Sequence, residues 1–169
     1  KYAWFKFPAR KGQRILIECR PDFLDTKNRP SLTLFSPGMQ EVENERLSGL
    51  IDYVIPADGE WHLRFSDLLF KGGVDYPYRL TVSTRPRIDL VYPPVGREGS
   101  SVAFTIFGRN LPGGQPAGWS TRQGKVLEKK VVHLKLPAGA SRGKLPFAKH
   151  LDMRRGILDH LEFRERSAG

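Results

Sequence analysis

Hydrophobic and polar residues alternate along most of the chain, and Gly, Pro, Asn and Asp separate the alternating segments. Because successive side chains of a strand point to opposite faces of a sheet, this alternation is typical of half-buried β-strands. Helical spacing is hard to find before residue 147. The pattern predicts strands at Trp4–Phe7, Arg14–Cys19, Ser31–Phe35, Ile51–Ile55, Trp61–Asp67, Tyr78–Ser83, Ser101–Gly108, Lys130–Leu136 and Leu161–Glu165.

Two of these strands separate their faces clearly. One face of each carries only hydrophobic residues, and these are expected in a core: Trp61, Leu63, Phe65, Tyr78, Leu80 and Val82. The opposite face is polar and includes His62 and Arg64. Each strand therefore has one face for a core and one for water.

The segment "STRPRIDLVYPPVGREGS" interrupts the alternation with two X-Pro sites and a Pro-Pro pair. Proline removes a backbone donor and restricts the preceding residue, so neither strand ladders nor helices are expected to run easily through it. The sequence predicts a domain boundary near Pro86, between domains 1–85 and 86–169. Two later segments, "LPGGQPAGWSTRQG" and "LPAGASRGKLPFAKHLDMRRG", are expected to be long loops.

The first half carries the motifs "WFKFPARKGQRILIECR", "SLTLFSPGMQEV", "YVIPADGEWHLRFSDLLFKGG" and "DYPYRLTVS". Together they resemble the bacterial pre-peptidase C-terminal domain, in the version found in large secreted or surface proteins of planctomycete-type bacteria. The resemblance covers residues 1–84. It implies a jelly-roll-like β-sandwich that is appended to peptidases or large surface proteins and is not itself catalytic.

The second half is similar to the Ig-like domain called TIG or IPT, through "YPPVGREGSSVAFTIFGRNLPGG", "VVHLKLPAGA" and "LDHLEFRERSAG" as a late strand. In that family the opening glycines make tight turns, so Gly96, Gly99 and Gly108 need no ligand. The expected fold class is therefore all-β, with a jelly-roll-like β-sandwich followed by a second, Ig-like β-sandwich. Both families normally have one more strand than these ends supply. This predicts either an internal fragment of a longer polypeptide, with a second domain truncated at its C-terminus, or a degenerate short relative of one.

The formal charge of +10 lies mostly in the second half of the chain. Residues 1–85 hold 13 Lys and Arg against 11 Asp and Glu, and residues 86–169 hold 15 against 7. This asymmetry indicates either an acidic partner or a solvated basic face that maintains solubility. The single cysteine, Cys19, excludes an internal disulfide and is expected to be a buried, inert thiol.

No motif of a known catalytic class occurs in the chain, such as Gly-x-Ser-x-Gly, His-Glu-x-x-His or a P-loop. The four histidines are scattered without metal-ligand spacing, and His62 and His133 are expected on outward strand faces. The sequence predicts a protein that is not an enzyme and needs no cofactor. No apolar run approaches the roughly 20 residues that cross a bilayer, so no membrane span is expected.

Calcium is the one metal for which candidate ligands exist, because related domains on secreted peptidases can bind it through loop carboxylates. The candidates are Asp22, Asp25, Asp67 and Asp75. Arg29 stands where family members often have an acidic residue, and "EVENERLSG" lacks a common Asp pair. The alternative is that Asp58 and Asp67 hydrogen-bond turn backbone and that the other acids are surface charge.

Two further sets of residues are candidates for ligand contact. The polar strand face and the loops offer His62, Arg64, Tyr76 and Trp119 for a polysaccharide or protein ligand. A basic strip could hold a polyanion through Lys125, Lys129, Lys130, Arg142, Lys144, Arg154 and Arg155. Nucleic acid is not an expected partner, because no nucleic-acid motif or interleaved aromatic series accompanies these cations along the sequence.

The sequence thus predicts a secreted or cell-envelope module of a larger bacterial protein, which serves adhesion, spacing or targeting to a surface. Its expected partners are neighbouring domains of the same protein and an extracellular polysaccharide or protein. Two alternatives stay open: an accessory domain of a secreted peptidase or hydrolase, and a basic polyanion-binding module. Because fold alone does not fix function, the full-length reading frame would separate these possibilities.

Overall fold

A computed structural model describes residues 2–21, 29–46, 48–68, 78–121, 124–136, 138 and 160–164. Their regular secondary structure is β-strand throughout, with no helix, so the predicted all-β class is confirmed. The strands are β1 (Ala3–Ala9), β2 (Arg14–Pro21), β3 (Pro30–Phe35), β4 (Glu41–Glu45), β5 (Leu50–Val54), β6 (Gly59–Asp67), β7 (Tyr78–Ser83), β8 (Arg87–Tyr92), β9 (Ser101–Arg109), β10 (Gln115–Ser120), β11 (Val126–Lys135) and β12 (His160–Arg164).

The chain divides into two compact units. Unit 1 comprises Lys1–Thr84 and Leu158–Gly169, and unit 2 comprises Arg85–Ile157. Unit 1 contains two antiparallel four-stranded sheets: sheet A, in the order β1-β6-β3-β4, and sheet B, in the order β12-β7-β2-β5. Unit 2 contains sheet C, in the order β10-β11-β9-β8.

The inner faces of sheets A and B form one hydrophobic core, as in a β-sandwich. Ring pairs join the two sheets: Phe65 of β6 stacks on Tyr78 of β7 with 3.9 Å between centroids, and Trp61 lies 5.8 Å from Tyr53 of β5. The prediction of inward faces is confirmed, because each of its six hydrophobic residues is buried: Trp61, Leu63, Phe65, Tyr78, Leu80 and Val82. Cys19 is likewise buried in this core.

Sheet C has one buried face and one exposed face. Phe104, Ile106 and Leu134 are buried on one side, and His133 lies exposed on the other, as its strand position predicts. Within the described part of unit 2, sheet C is the one sheet present. The second sheet of the expected Ig-like sandwich is not found among those residues.

Two strands of sheet C occur where the sequence predicts interruptions. Strand β8 lies between Pro86 and Pro93, in the segment expected to break the alternation. The two prolines flank the strand and therefore remove no donor inside it. Gly108 permits this pairing, because a Cβ at that position would collide with the Arg87 carbonyl oxygen.

Strand β10 lies inside the expected loop "LPGGQPAGWSTRQG". It is an edge strand whose register with β11 shifts between Pro116 and Ser120, and Gly118 within it has φ +83°. Pro and Gly are typical both of loops and of such irregular edge strands. The Pro and Gly content of this segment therefore led to the prediction of a loop. Strand β4, which the alternation did not predict, is also an edge strand and is mostly charged.

The last strand, β12, differs in position from the expectation. The sequence places "LDHLEFRERSAG" in the second domain as a late strand. In the structure β12 pairs with β7 of unit 1, from His160 opposite Ser83 to Arg164 opposite Arg79. Strand pairing between residues this far apart in sequence leaves no local signal.

Candidate functional site

The outer face of sheet A carries large aromatic residues. Trp4 of β1 pairs with Arg64 of β6, and Arg64 pairs with Thr33 of β3. Directly opposite residues share a face, and Tyr2 reaches the same face by alternation. We call the set Tyr2, Trp4, Phe35 and Arg64 the aromatic–arginine surface.

Arg64 lies at the centre of this surface. Its guanidinium carbon is 5.2 Å from the ring centroid of Tyr2, 5.8 Å from that of Trp4 and 5.2 Å from that of Phe35. These distances fall within the range of cation–π attraction. The Trp4 and Phe35 rings also contact each other, with 5.2 Å between centroids.

Polar contacts fix Arg64 from the side of β3 and β4. Its Nη2 donates to the Thr33 hydroxyl at 3.3 Å and lies 3.9 Å from a Glu41 carboxylate oxygen. Asn44 donates to the same Thr33 hydroxyl at 3.3 Å and to the other carboxylate oxygen of Glu41 at 3.0 Å. The arginine is therefore held in one orientation without a ligand.

The aromatic residues of the surface differ in exposure. Phe35 is 8% exposed and forms its floor, whereas Tyr2 is 52% and Trp4 49% exposed. Half-exposed aromatic side chains with fixed neighbours offer apolar area at little cost in conformational entropy. The arrangement can hold a flat, partly apolar ligand against the sheet.

His62 lies beside this surface, because it pairs with both Lys6 and Phe35. Its Nε2 is 4.0 Å from a Glu60 carboxylate oxygen, and Lys6 Nζ is 3.3 Å from the Glu60 carboxylate. The structure thus brings His62 and Arg64 together on one outer face, as predicted. Their role in ligand contact stays a prediction.

The other two ligand-contact candidates do not join them. Trp119 belongs to β10 of unit 2, is 51% exposed, and packs edge-on against Phe107 with 5.1 Å between centroids. Tyr76 lies outside the described residues.

Of the calcium candidates, Asp67 alone lies within the described residues. It is buried, and its Oδ2 accepts the backbone N–H of Arg29 at 2.7 Å. Asp58 similarly accepts the backbone N–H of Lys11 at 2.7 Å. In the part of the chain that the structure describes, no group of three or more His, Cys, Asp or Glu residues could hold a metal ion. Asp22, Asp25 and Asp75 lie outside it.

Replacing Asp67 with alanine tests its structural role. We expect the free energy of unfolding to fall by about 1–3 kcal/mol, because the hydrogen bond from the Arg29 backbone N–H to the buried carboxylate is lost. The loss, measured by urea denaturation, is expected to be equal in millimolar calcium and in chelator. A loss that appears only in calcium would show instead that Asp67 is a metal ligand.

The predicted basic strip is not continuous along β11. Lys129 is exposed on the outer face of sheet C, whereas Lys130 points to the opposite face and donates to the Pro112 carbonyl at 2.6 Å. Lys125 precedes the strand and is half-buried. The remaining members of the strip are outside the described residues: Arg142, Lys144, Arg154 and Arg155.

Sequence reasoning missed Tyr2, Trp4 and Phe35 as candidate contacts. The signal was present in β1, where Phe5 and Phe7 alternate with Trp4 and Lys6. The first pair faces the core, so Trp4 is an aromatic residue on the polar face. Phe35 gave no such signal, because it ends a run of hydrophobic residues.

No protein-family model, curated protein or solved structure matches this chain. The resemblance to pre-peptidase C-terminal and TIG domains therefore stays a prediction. Among the described residues, no helix is long and apolar enough to cross a membrane.

Proposed function

We propose that the protein is a non-catalytic binding module that attaches a larger bacterial extracellular protein to a polysaccharide. The observation that carries this proposal is the aromatic–arginine surface, which exposes Tyr2 and Trp4 around a fixed Arg64. The resemblance of the first half to domains of secreted proteins supports the location. Neighbouring domains of the same protein would be its covalent partners.

A polysaccharide suits this surface for a physical reason. One face of a pyranose ring presents C–H groups that pack on an aromatic ring, while its hydroxyls need polar partners at the edge. The surface provides the Tyr2 and Trp4 rings beside Arg64, and Lys6, Glu60 and Glu41 are charged residues on the same sheet. Aromatic residues with a polar rim are typical of binding surfaces.

The charges favour a neutral polysaccharide at this surface. Arg64 lies near Glu41, and Lys6 lies near Glu60, so each cation has an acidic neighbour. An anionic ligand would have to compete with these carboxylates. A neutral chain of hexose or pentose units meets no such competition.

Affinity gel electrophoresis with soluble β-glucan, xyloglucan and galactomannan tests the proposal. We expect at least one of these polymers to retard the protein, and Trp4→Ala to weaken that binding roughly 10–30-fold, because truncating a central tryptophan is among the costliest interface changes. Tyr2→Ala should act in the same direction.

Val54→Ala is the matched control, since Val54 is 57% exposed on β5 of sheet B. Its mobility shift should equal that of the wild type. Variants are compared only where the thermal midpoint is unchanged, and Trp4→Phe replaces Trp4→Ala if the latter unfolds. The proposal would be contradicted if none of the polymers retards the protein. It would also be contradicted if the wild type, Tyr2→Ala and Trp4→Ala are retarded equally. If the protein instead binds a protein ligand through Tyr2 and Trp4, the ligand of this surface is a protein and the polysaccharide proposal is wrong.

A further inference from the structure

The outer face of sheet C exposes a second cluster of hydrophobic residues. Leu90, Phe107 and Lys129 pair in one row across β8, β9 and β11, and Tyr92, Thr105 and Val131 pair in the next. Directly opposite residues share a face, and this face is opposite to that of the buried Phe104 and Ile106. Trp119 completes the cluster through its contact with Phe107.

These side chains are exposed to an unusual degree for hydrophobic residues on strands. Tyr92 is 66% exposed, and Leu90, Trp119 and Val131 are each 51–53% exposed. Contiguous exposed hydrophobic patches mark binding surfaces more often than isolated residues do. The cluster includes residues from all four strands of the sheet, so it extends from one edge of this face to the other.

Positive charge borders the cluster. Lys129 and Lys135 are exposed on the same face of β11, two and four residues on either side of the exposed Val131. The one strand acid near this face, among the described residues, is Asp89 in the bulge of β8. It accepts from Arg109 Nη1 at 2.6 Å and from Arg87 Nε at 3.1 Å, so two cations neutralise it.

The described residues of unit 2 support an anionic ligand. Within 85–121 and 124–136 there are eight Lys and Arg against three Asp and Glu. Glu128 uses its carboxylate to accept the backbone N–H groups of Asn110 and Leu111, and Asp89 is paired as above. On the outer face of sheet C, the exposed Lys129 and Lys135 are therefore not opposed by Asp89 or Glu128, and their positive charge attracts anions.

We propose that the outer face of sheet C binds an acidic polysaccharide, whose sugar rings pack on Tyr92 and Trp119 and whose carboxylates or sulfates pair with Lys129 and Lys135. This site lies on a different unit from the aromatic–arginine surface and does not depend on it. Interleaved aromatics and cations, which the linear sequence lacks, arise here from the pairing of four strands.

The spacing of the cations favours an acidic polysaccharide over a single-stranded nucleic acid. Lys129 and Lys135 are six residues apart on one strand, which is about 20 Å. A nucleic acid carries a phosphate at every nucleotide and is bound through many closely spaced contacts. An acidic polysaccharide can pack its sugar rings on the large apolar area, so it can be held while only some of its acidic groups pair with the two widely spaced lysines.

Binding to immobilised polygalacturonate and heparin, at increasing salt, tests the proposal on the full chain. Immobilised oligo(dT) and a neutral galactomannan are the comparison surfaces. We expect Trp119→Ala to weaken binding to one of the acidic polysaccharides about tenfold or more. Lys129→Ala should weaken it severalfold and make it less dependent on salt, because one ion contact is lost.

Arg10→Ala is the charge-matched control, since Arg10 is exposed in a turn of unit 1. It should leave the affinity unchanged. If Trp119→Ala unfolds unit 2, Trp119→Phe and Tyr92→Ser serve instead. Neutral polysaccharide bound through Trp4 should be unaffected by all these variants, so the two sites are tested separately.

Three results would overturn the proposal. The first is absence of binding to both acidic polysaccharides at low salt. The second is equal weakening by Arg10→Ala and Lys129→Ala, which would indicate nonspecific attraction by net charge. The third is tighter binding to oligo(dT) that requires Trp119 and Lys129, which would make the ligand a nucleic acid.

Discussion

Replacing Trp61 with alanine is expected to lower the free energy of unfolding of unit 1 by about 3–5 kcal/mol, the usual cost of truncating a core aromatic. Trp61 is 1% exposed, lies 5.8 Å from the Tyr53 ring across the sandwich, and donates from its indole N–H to the Ala57 carbonyl at 3.4 Å. Its removal therefore leaves a cavity between the sheets and an unused acceptor in the turn before β6.

Urea denaturation followed by far-UV circular dichroism measures this effect. Trp4→Ala is the control with the same change in side chain in the same unit, and because Trp4 is half-exposed we expect it to cost about 1 kcal/mol or less. Equal losses for the two variants would contradict the assignment of Trp61 to the centre of the core. In both variants, the slope of the free energy of unfolding against urea concentration should equal that of the wild type.

Replacing Asp52 with alanine is expected to cost about 3 kcal/mol, because it leaves Arg14 without its carboxylate in a partly buried position. Arg14 Nε and Nη2 each donate to one Asp52 oxygen at 2.7 Å, and the side chains are 17% and 5% exposed. This two-bond pair joins β2 to β5 within sheet B.

The exposed pair of Lys6 and Glu60 provides the comparison. Its side chains are 69% and 54% exposed, so solvent screens it and Glu60→Ala should cost less than about 1 kcal/mol. The double variant Arg14→Met, Asp52→Leu should regain most of the stability lost by Asp52→Ala, since neither charge is then buried alone. A double variant as unstable as the single one would show that Asp52 acts through other contacts.

Alternation predicted the central strands and also the edge strands β1, β5 and β12, but it missed the edge strands β4, β8 and β10. β6 and β7 stand in the middle of their sheets, and their hydrophobic residues recur at every second position. β4 and β10 are edge strands, with a neighbouring strand on one side and solvent on the other. More residue types are therefore tolerated there than in a central strand. Neither sequence alternates hydrophobic with polar residues, because β4 (EVENE) has one hydrophobic residue and β10 (QPAGWS) contains Pro and Gly.

The candidate sites were harder to predict than the strands, because each depends on register. His62 and Arg64 were identified on a polar face, but their neighbours across the sheet, Lys6, Trp4 and Thr33, follow from pairings with distant segments. In sheet C, Phe107 and Lys129 become neighbours in the same way. A single strand shows which face a residue occupies, but not which residues lie beside it.

The central claim is that the outer face of sheet A binds a polysaccharide, and mapping by chemical-shift perturbation tests it most directly. The amide and indole signals of the ¹⁵N-labelled protein are followed while a neutral oligosaccharide from the retarding polymer is added. We predict saturable shifts at Trp4, Arg64 and their neighbours on β1, β6 and β3, with β2 and β5 of sheet B unchanged. Shifts confined to sheet B or to unit 2 would contradict the account.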